Sequence, residues 1–128
     1  MSVEYFAELG STQSLPFSAA VQADDFIFVS GQVAKGDDGK IINGEIEEHT
    51  RQTFRNVERV LAPAHCSLAD VVKVTVWLQD AGDFDRFNRV YREFFPVQKP
   101  ARSTTQARLV VDSRLEVEVI ALKRRVVP

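Results

Sequence analysis

Val71-Val72-Lys73-Val74-Thr75-Val76-Trp77-Leu78-Gln79-Asp80 is the stretch on which the fold turns. Val72, Val74, Val76 and Leu78 fall on one side of an extended chain, and Lys73, Thr75, Trp77 and Gln79 on the other. A sustained period of two marks a strand, expected over Ala69–Asp80, with one face on the core. On its N-terminal side Phe54, Val57 and Leu61 recur at helical spacing among Glu, Arg, Gln and Asn, which predicts a helix over Ile46–Ala62 ended near Pro63. On its C-terminal side Asp83 is a candidate N-cap for a helix over Phe84–Phe95, with Phe84, Phe87, Val90, Tyr91, Phe94 and Phe95 as the apolar set. Pro96 lacks an N–H and closes that helix.

Further out, Ala19–Ala23 and Phe26–Ser30 flank Asp24-Asp25, a hairpin signal. A short strand is expected around Val3–Ala7. Phe26-Ile27-Phe28-Val29 is continuously apolar, so cover is expected on both of its faces. Two strands close the chain, one in Pro100–Leu109 and one in Leu115–Leu122. Strands, helix, strand, helix and two strands make an α+β domain, with a mixed sheet and both helices on one face. The other face then carries too much apolar surface, Trp77 included, to stay in water, and a second subunit is the natural cover.

The 128 residues suit one domain, 1–128, and the 45% hydrophobic and 27% charged content is that of a soluble globular protein. The net charge of −2, with no basic stripe, speaks against nucleic acid as a main ligand. Lys123-Arg124-Arg125 is a short basic end, read as solvated. The one cysteine, Cys66, excludes an internal disulfide, fits a reducing cytoplasmic compartment, and reads as a small core filler. The two histidines, His49 and His65, lie far apart and no metal-ligand motif is present, so no metal is expected. Neither a signal peptide nor an apolar run of membrane-spanning length is expected from the sequence.

Charge inside the closing strands draws attention to Arg102 and Glu116. From the pattern alone Arg102 is better explained by a surface or interface ion pair. Glu116 and Glu118 share a strand face and could both be solvated. Ser30-Gly31 could be a plain strand end or bulge. Asn88, at the edge of an apolar stripe, would not be chosen from pattern.

Several stretches together resemble the RidA/YjgF family of imine/enamine deaminases, whose members are also described as L-PSP-type endoribonucleases or translation inhibitors. They are Pro16-Phe17-Ser18, Phe28-Val29-Ser30-Gly31-Gln32, Leu68-Ala69-Asp70-Val71-Val72-Lys73, Asp83-Phe84 with Asn88, Tyr91 with Phe94-Phe95, Pro100-Ala101-Arg102-Ser103 and Leu115-Glu116-Val117-Glu118. The match runs from about residue 16 to residue 122, with order and spacing kept. The resemblance implies a chorismate-mutase-like (βαββαβ-type) fold, a homotrimer with sites between subunits, and no metal or organic cofactor. It places the arginine that grips a substrate carboxylate on Arg102 and the glutamate that positions water on Glu116. It places the substrate pocket on Ser30, Gly31, Asn88, Thr104 and the Phe17 turn, where many active members have tyrosine.

The implied function is hydrolysis of reactive 2-imino or enamino acids to 2-keto acid and ammonia. Arginine's planar fork aligns a carboxylate through two charge-assisted hydrogen bonds, and a carboxylate can activate water. Two other functions compete: a non-enzymatic binder of small keto acids, and an RNA-cleaving translation inhibitor, which the acidic balance disfavours. If the closing strands form a hairpin about Val110–Arg114, Arg108 lies opposite Glu116 and Arg102 opposite Leu122. Arg102 and Glu116 are then about six residues, or roughly 20 Å, apart along the ladder. Each site would then have to be shared by two subunits.

Overall fold

The computed structural model describes residues 2–7 and 15–124. Its strands are β1 (Val3–Phe6), β2 (Ala20–Ala23), β3 (Phe26–Gln32), β4 (Val71–Leu78), β5 (Ala101–Gln106) and β6 (Leu115–Leu122), and its α-helices are α1 (Ile46–Leu61) and α2 (Phe84–Phe94). The six strands form a single mixed sheet in the order β1-β2-β3-β6-β4-β5. β4 and β5 run parallel, joined through α2, and the other neighbours are antiparallel.

Both helices lie on one face. Phe54, Val57 and Leu61 of α1 and Phe87 and Tyr91 of α2 pack with Ile27, Val29, Val74, Val76, Leu78, Leu115, Val117, Val119 and Ala121 of the sheet. The α+β architecture expected from the sequence is therefore present. The β2–β3 hairpin turns at Asp24, whose φ of 51° an Asp tolerates better than most residues. At the start of α1 the Glu45 N–H donates to the Glu48 carboxylate at 2.9 Å, satisfying a group the helix leaves free.

Two expectations, the closing hairpin and the face of Val72, need correction. The closing strands are not a hairpin: β6 inserts between β3 and β4, and β5 lies beyond β4 at the edge. The side chains explain this. β6 buries Leu115, Val117, Val119 and Ala121 and suits the middle of the sheet, whereas β5 is Ala-Arg-Ser-Thr-Thr-Gln and suits a polar edge. In β3 only alternate residues are covered: Ile27 and Val29 are buried, while Phe26 and Phe28 are 44% and 45% exposed. Val72 leaves the face of Val74, Val76 and Leu78, because an irregularity between Val71 and Lys73 buries Val71 in its place. Asp83 stands at the N-cap of α2 but its side chain makes no capping bond; Asp80 accepts instead from the Gly82 N–H, at 2.8 Å.

Candidate functional site

Arg102 pairs in register with Val74 and Thr104 with Val76, so both point to the face that carries the helices. The half-buried Arg102 guanidinium lies over three α2 rings, 5.7 Å from the Phe84 centroid, 5.3 Å from Phe87 and 4.6 Å from Tyr91. Such distances are those of cation–π contact. Half-buried Asn88 lies one turn beyond Phe84 and one before Tyr91, so its position puts it on the same side of α2. The Thr104 and Tyr91 hydroxyls are buried and make no well-formed hydrogen bond among the described residues. Burial pushes the Tyr91 phenol up in pKa, against the pull of the adjacent Arg102 charge. A buried hydroxyl without a partner is uncommon, and that of Thr104, on the same face as Arg102, points to a place where a polar ligand completes the bonding.

Glu116 belongs to the other face. It stands opposite Trp77, as Glu118 stands opposite Thr75, and both alternate with the buried residues of β6. Its carboxylate lies directly over Gly31, where a Cβ would sit 2.9 Å from Glu116 Cδ and overlap the carboxylate oxygen. An irregularity of β3 between Val29 and Gln32 accommodates this approach. Burial, and then the Glu118 charge, push the Glu116 carboxyl above the ordinary carboxylate range. A half-desolvated carboxylate of raised pKa is a better proton acceptor than an ordinary one.

Ser30 borders this half-site, but its polar groups are engaged. Its hydroxyl donates to the Ser18 carbonyl at 2.6 Å and its N–H to the Ala19 carbonyl at 2.9 Å. Ser30 thereby fixes the Pro16-Phe17-Ser18 turn against β3 and leaves Phe17 56% exposed.

The chain thus gathers Arg102, Thr104 and Asn88 on one side of the sheet and Glu116, Gly31, Ser30 and Phe17 with the other, and the two groups do not converge. Two concavities of about 390 and 290 Å³ lie elsewhere: one is bordered by Asn43, His49, Asp83 and Arg114, the other by Val72, Lys99, Leu122 and Arg124. In the first, His49 accepts the Arg114 N–H on Nδ1 at 3.2 Å, and burial holds its pKa below the ordinary value. Cys66 is buried and its thiol pKa is pushed up by that burial, which agrees with a core filler. The sequence pattern places Phe84, Phe87 and Tyr91 in the apolar set of α2. The spacing that puts three rings on one helix side was visible, but the strand that would lay an arginine on them was not.

The family model Endoribonuclease L-PSP matches residues 11–123. The chain belongs to this family, the RidA/YjgF family. It is 43% identical over 110 residues to a RutC family protein of Pyrococcus horikoshii, covering 84% of this chain and 87% of that protein. It is 36% identical over 110 residues to the human protein named 2-iminobutanoate/2-iminopropanoate deaminase, covering 84% of this chain and 80% of that one. The crystal structure of yeast Mmf1 superposes with a TM-score of 0.89 at 37% identity, covering 96% of this chain and all (100%) of that one. The fold of this RidA/YjgF chain is therefore that of its relatives. No helix among the described residues is long and apolar enough to cross a membrane.

Proposed function

We propose that this RidA/YjgF protein is a hydrolytic deaminase of reactive 2-imino and enamino acids, working in the cytoplasm as a homotrimer with its sites between subunits. The observation that carries the shared site is the placement of Arg102 and Glu116 on opposite faces of one sheet. Arg102 aligns with Val74 and Glu116 with Trp77, three residues along β4, about 10 Å at ~3.3 Å per residue. That offset is half the one expected from a hairpin, but the sheet itself stands between the two side chains. A substrate of a few carbons meets both only when one subunit supplies the arginine and another the glutamate. The apolar groups on the face away from the helices, among them Phe26 and Phe28, favour such packing.

In this site the Arg102 fork holds the substrate carboxylate by two parallel bonds and presents the adjoining C=N carbon. Asn88 and Thr104 border the arginine, and Phe17, Ser30 and Gly31 border the glutamate. Glu116 takes a proton from water as the oxygen adds to the imine carbon and passes it to the nitrogen, giving a carbinolamine. Glu116 then takes the hydroxyl proton and delivers it to the nitrogen as the C=O forms and the C–N bond breaks, releasing ammonia and a 2-keto acid. Imines already hydrolyse in water, so alignment supplies most of the acceleration and the scheme uses no cofactor. Phe17 keeps the ring but not the phenol of many relatives, which points to a preference for less polar substrates.

The test generates 2-iminobutanoate in situ and follows its loss. The protein should accelerate it, and Arg102→Ala and Glu116→Ala should each remove most of the acceleration. Unfolded and reassembled together, these two impaired chains should regain activity through sites that unite the intact residues. Verified mixed oligomers that stay impaired would refute the shared site; saturable keto-acid binding without turnover would make the protein a binder instead.

A further inference from the structure

Arg102 is held by aromatic rings and not by an acidic partner. Among the described residues no carboxylate pairs with it, although Arg51, Arg59, Arg86, Arg114 and Arg124 all have acidic partners. The arginine rests on the rings of Phe84, Phe87 and Tyr91. Rings engage the face of a guanidinium, whereas its five N–H groups lie in the plane, so stacking orients the fork without occupying it. An ion pair would orient the arginine equally well but would fill the positions a substrate carboxylate needs.

The three rings differ in what else they do. Phe87 is fully buried at 0% exposure and Tyr91 is 7% exposed, so the core explains both. Phe84, the first residue of α2, is 41% exposed. An isolated exposed phenylalanine needs no explanation, but one with a cation over its ring has a specific contact.

We propose that Phe84 is a positioning residue for Arg102: its ring keeps the guanidinium ordered before the substrate carboxylate arrives. This rests on the assignment of Arg102 to the carboxylate above. An arginine without such support would lose its rotamer freedom on binding, and the affinity would fall accordingly.

The decisive variants are Phe84→Leu, which keeps apolar bulk without a π face, and Phe84→Tyr, which restores the face. Phe84→Leu should raise the KM for 2-iminobutanoate and the Kd for 2-oxobutanoate by roughly two- to fivefold, the size of one exposed cation–π contact. The kcat should stay within about twofold and the urea midpoint should fall only slightly, because the half-exposed Phe84 ring adds one contact to the fold while the buried Phe87 and Tyr91 stay in place. Phe84→Tyr should restore both constants. The Arg102 Nε–H resonance of ¹⁵N-arginine-labelled protein, assigned by its loss in Arg102→Lys, should show greater motion in Phe84→Leu than in the wild type. Unchanged Arg102 dynamics in Phe84→Leu would overturn the proposal, as would a Phe84→Tyr protein as impaired as Phe84→Leu. The resonance needs no substrate, so it tests Phe84 even if Arg102→Ala shows that the deaminase assignment is wrong.

Discussion

Gly31→Ala should separate the placement of Glu116 from everything else in the site. Gly31 is not at positive φ, so alanine meets no backbone strain there. The added methyl would lie 2.9 Å from Glu116 Cδ and 3.2 Å from Cγ and would overlap the carboxylate. The obstruction is the far end of a flexible side chain, so Glu116 rotates away before β3 shifts. The stability cost should then lie at the bottom of the overpacking range, about 1 kcal/mol. Turnover should suffer far more. A catalytic group displaced by about 1 Å costs on the order of 100-fold, or ~2.7 kcal/mol of barrier. The assay pairs kcat for an imine generated in situ with urea unfolding, in Gly31→Ala, Glu116→Ala and the double variant. If the methyl acts through Glu116, the double variant should be no slower than Glu116→Ala. A second hundredfold loss in the double variant, or a wild-type kcat in Gly31→Ala, would refute the reasoning.

Arg102→Lys should not rescue Arg102→Ala: lysine keeps the charge but neither the fork nor the flat face that stacks on α2, and near-normal kcat/KM would show that charge alone suffices. Glu118→Gln should lower the pH of the acid limb of kcat/KM, because the Glu118 charge is one of the causes that raise the Glu116 pKa; an unmoved limb would mean that Glu116 does not govern it. His49 titrates below its ordinary value when folded, so its contribution to stability is complete above about pH 6.5 and declines as pH falls from there towards the folded pKa. Urea midpoints between about pH 7.5 and 5.5 should fall in the wild type and change less in His49→Gln, and parallel curves would assign the slope to other groups.

The helices and the central strand were legible because each carries its period in side chains that one chain buries by itself. Phe54, Val57 and Leu61 recur at helical spacing, and Val74, Val76 and Leu78 alternate; all are buried. Val72 misled because a local irregularity of the strand costs one residue of phase, and a period of two reverses face at each such step. Phe26 and Phe28 are a different case. The run has no alternation, and this chain buries only Ile27 and Val29 of it, which leaves the other two to the second subunit of the proposed trimer.

The site was harder to read than the fold because its residues are ordered by strand neighbours that sequence adjacency does not give. Chain order places β5 beside β6, and a hairpin is the simplest connection between them. The polar side chains of β5 and the buried alternation of β6 argue for the edge and the interior respectively, and the sheet follows them. With β4 between them, Arg102 inherits the face of Val74 and Glu116 the face of Trp77. The hairpin kept the two apart by distance along a ladder; the sheet keeps them apart by face, which no shift of a strand by two residues can undo. Under the proposed assignment a single chain would offer a carboxylate grip without a water-activating partner on one side, and the partner without a grip on the other. Joint action at one small substrate requires two chains, with the Arg102 side of one against the Glu116 side of the next.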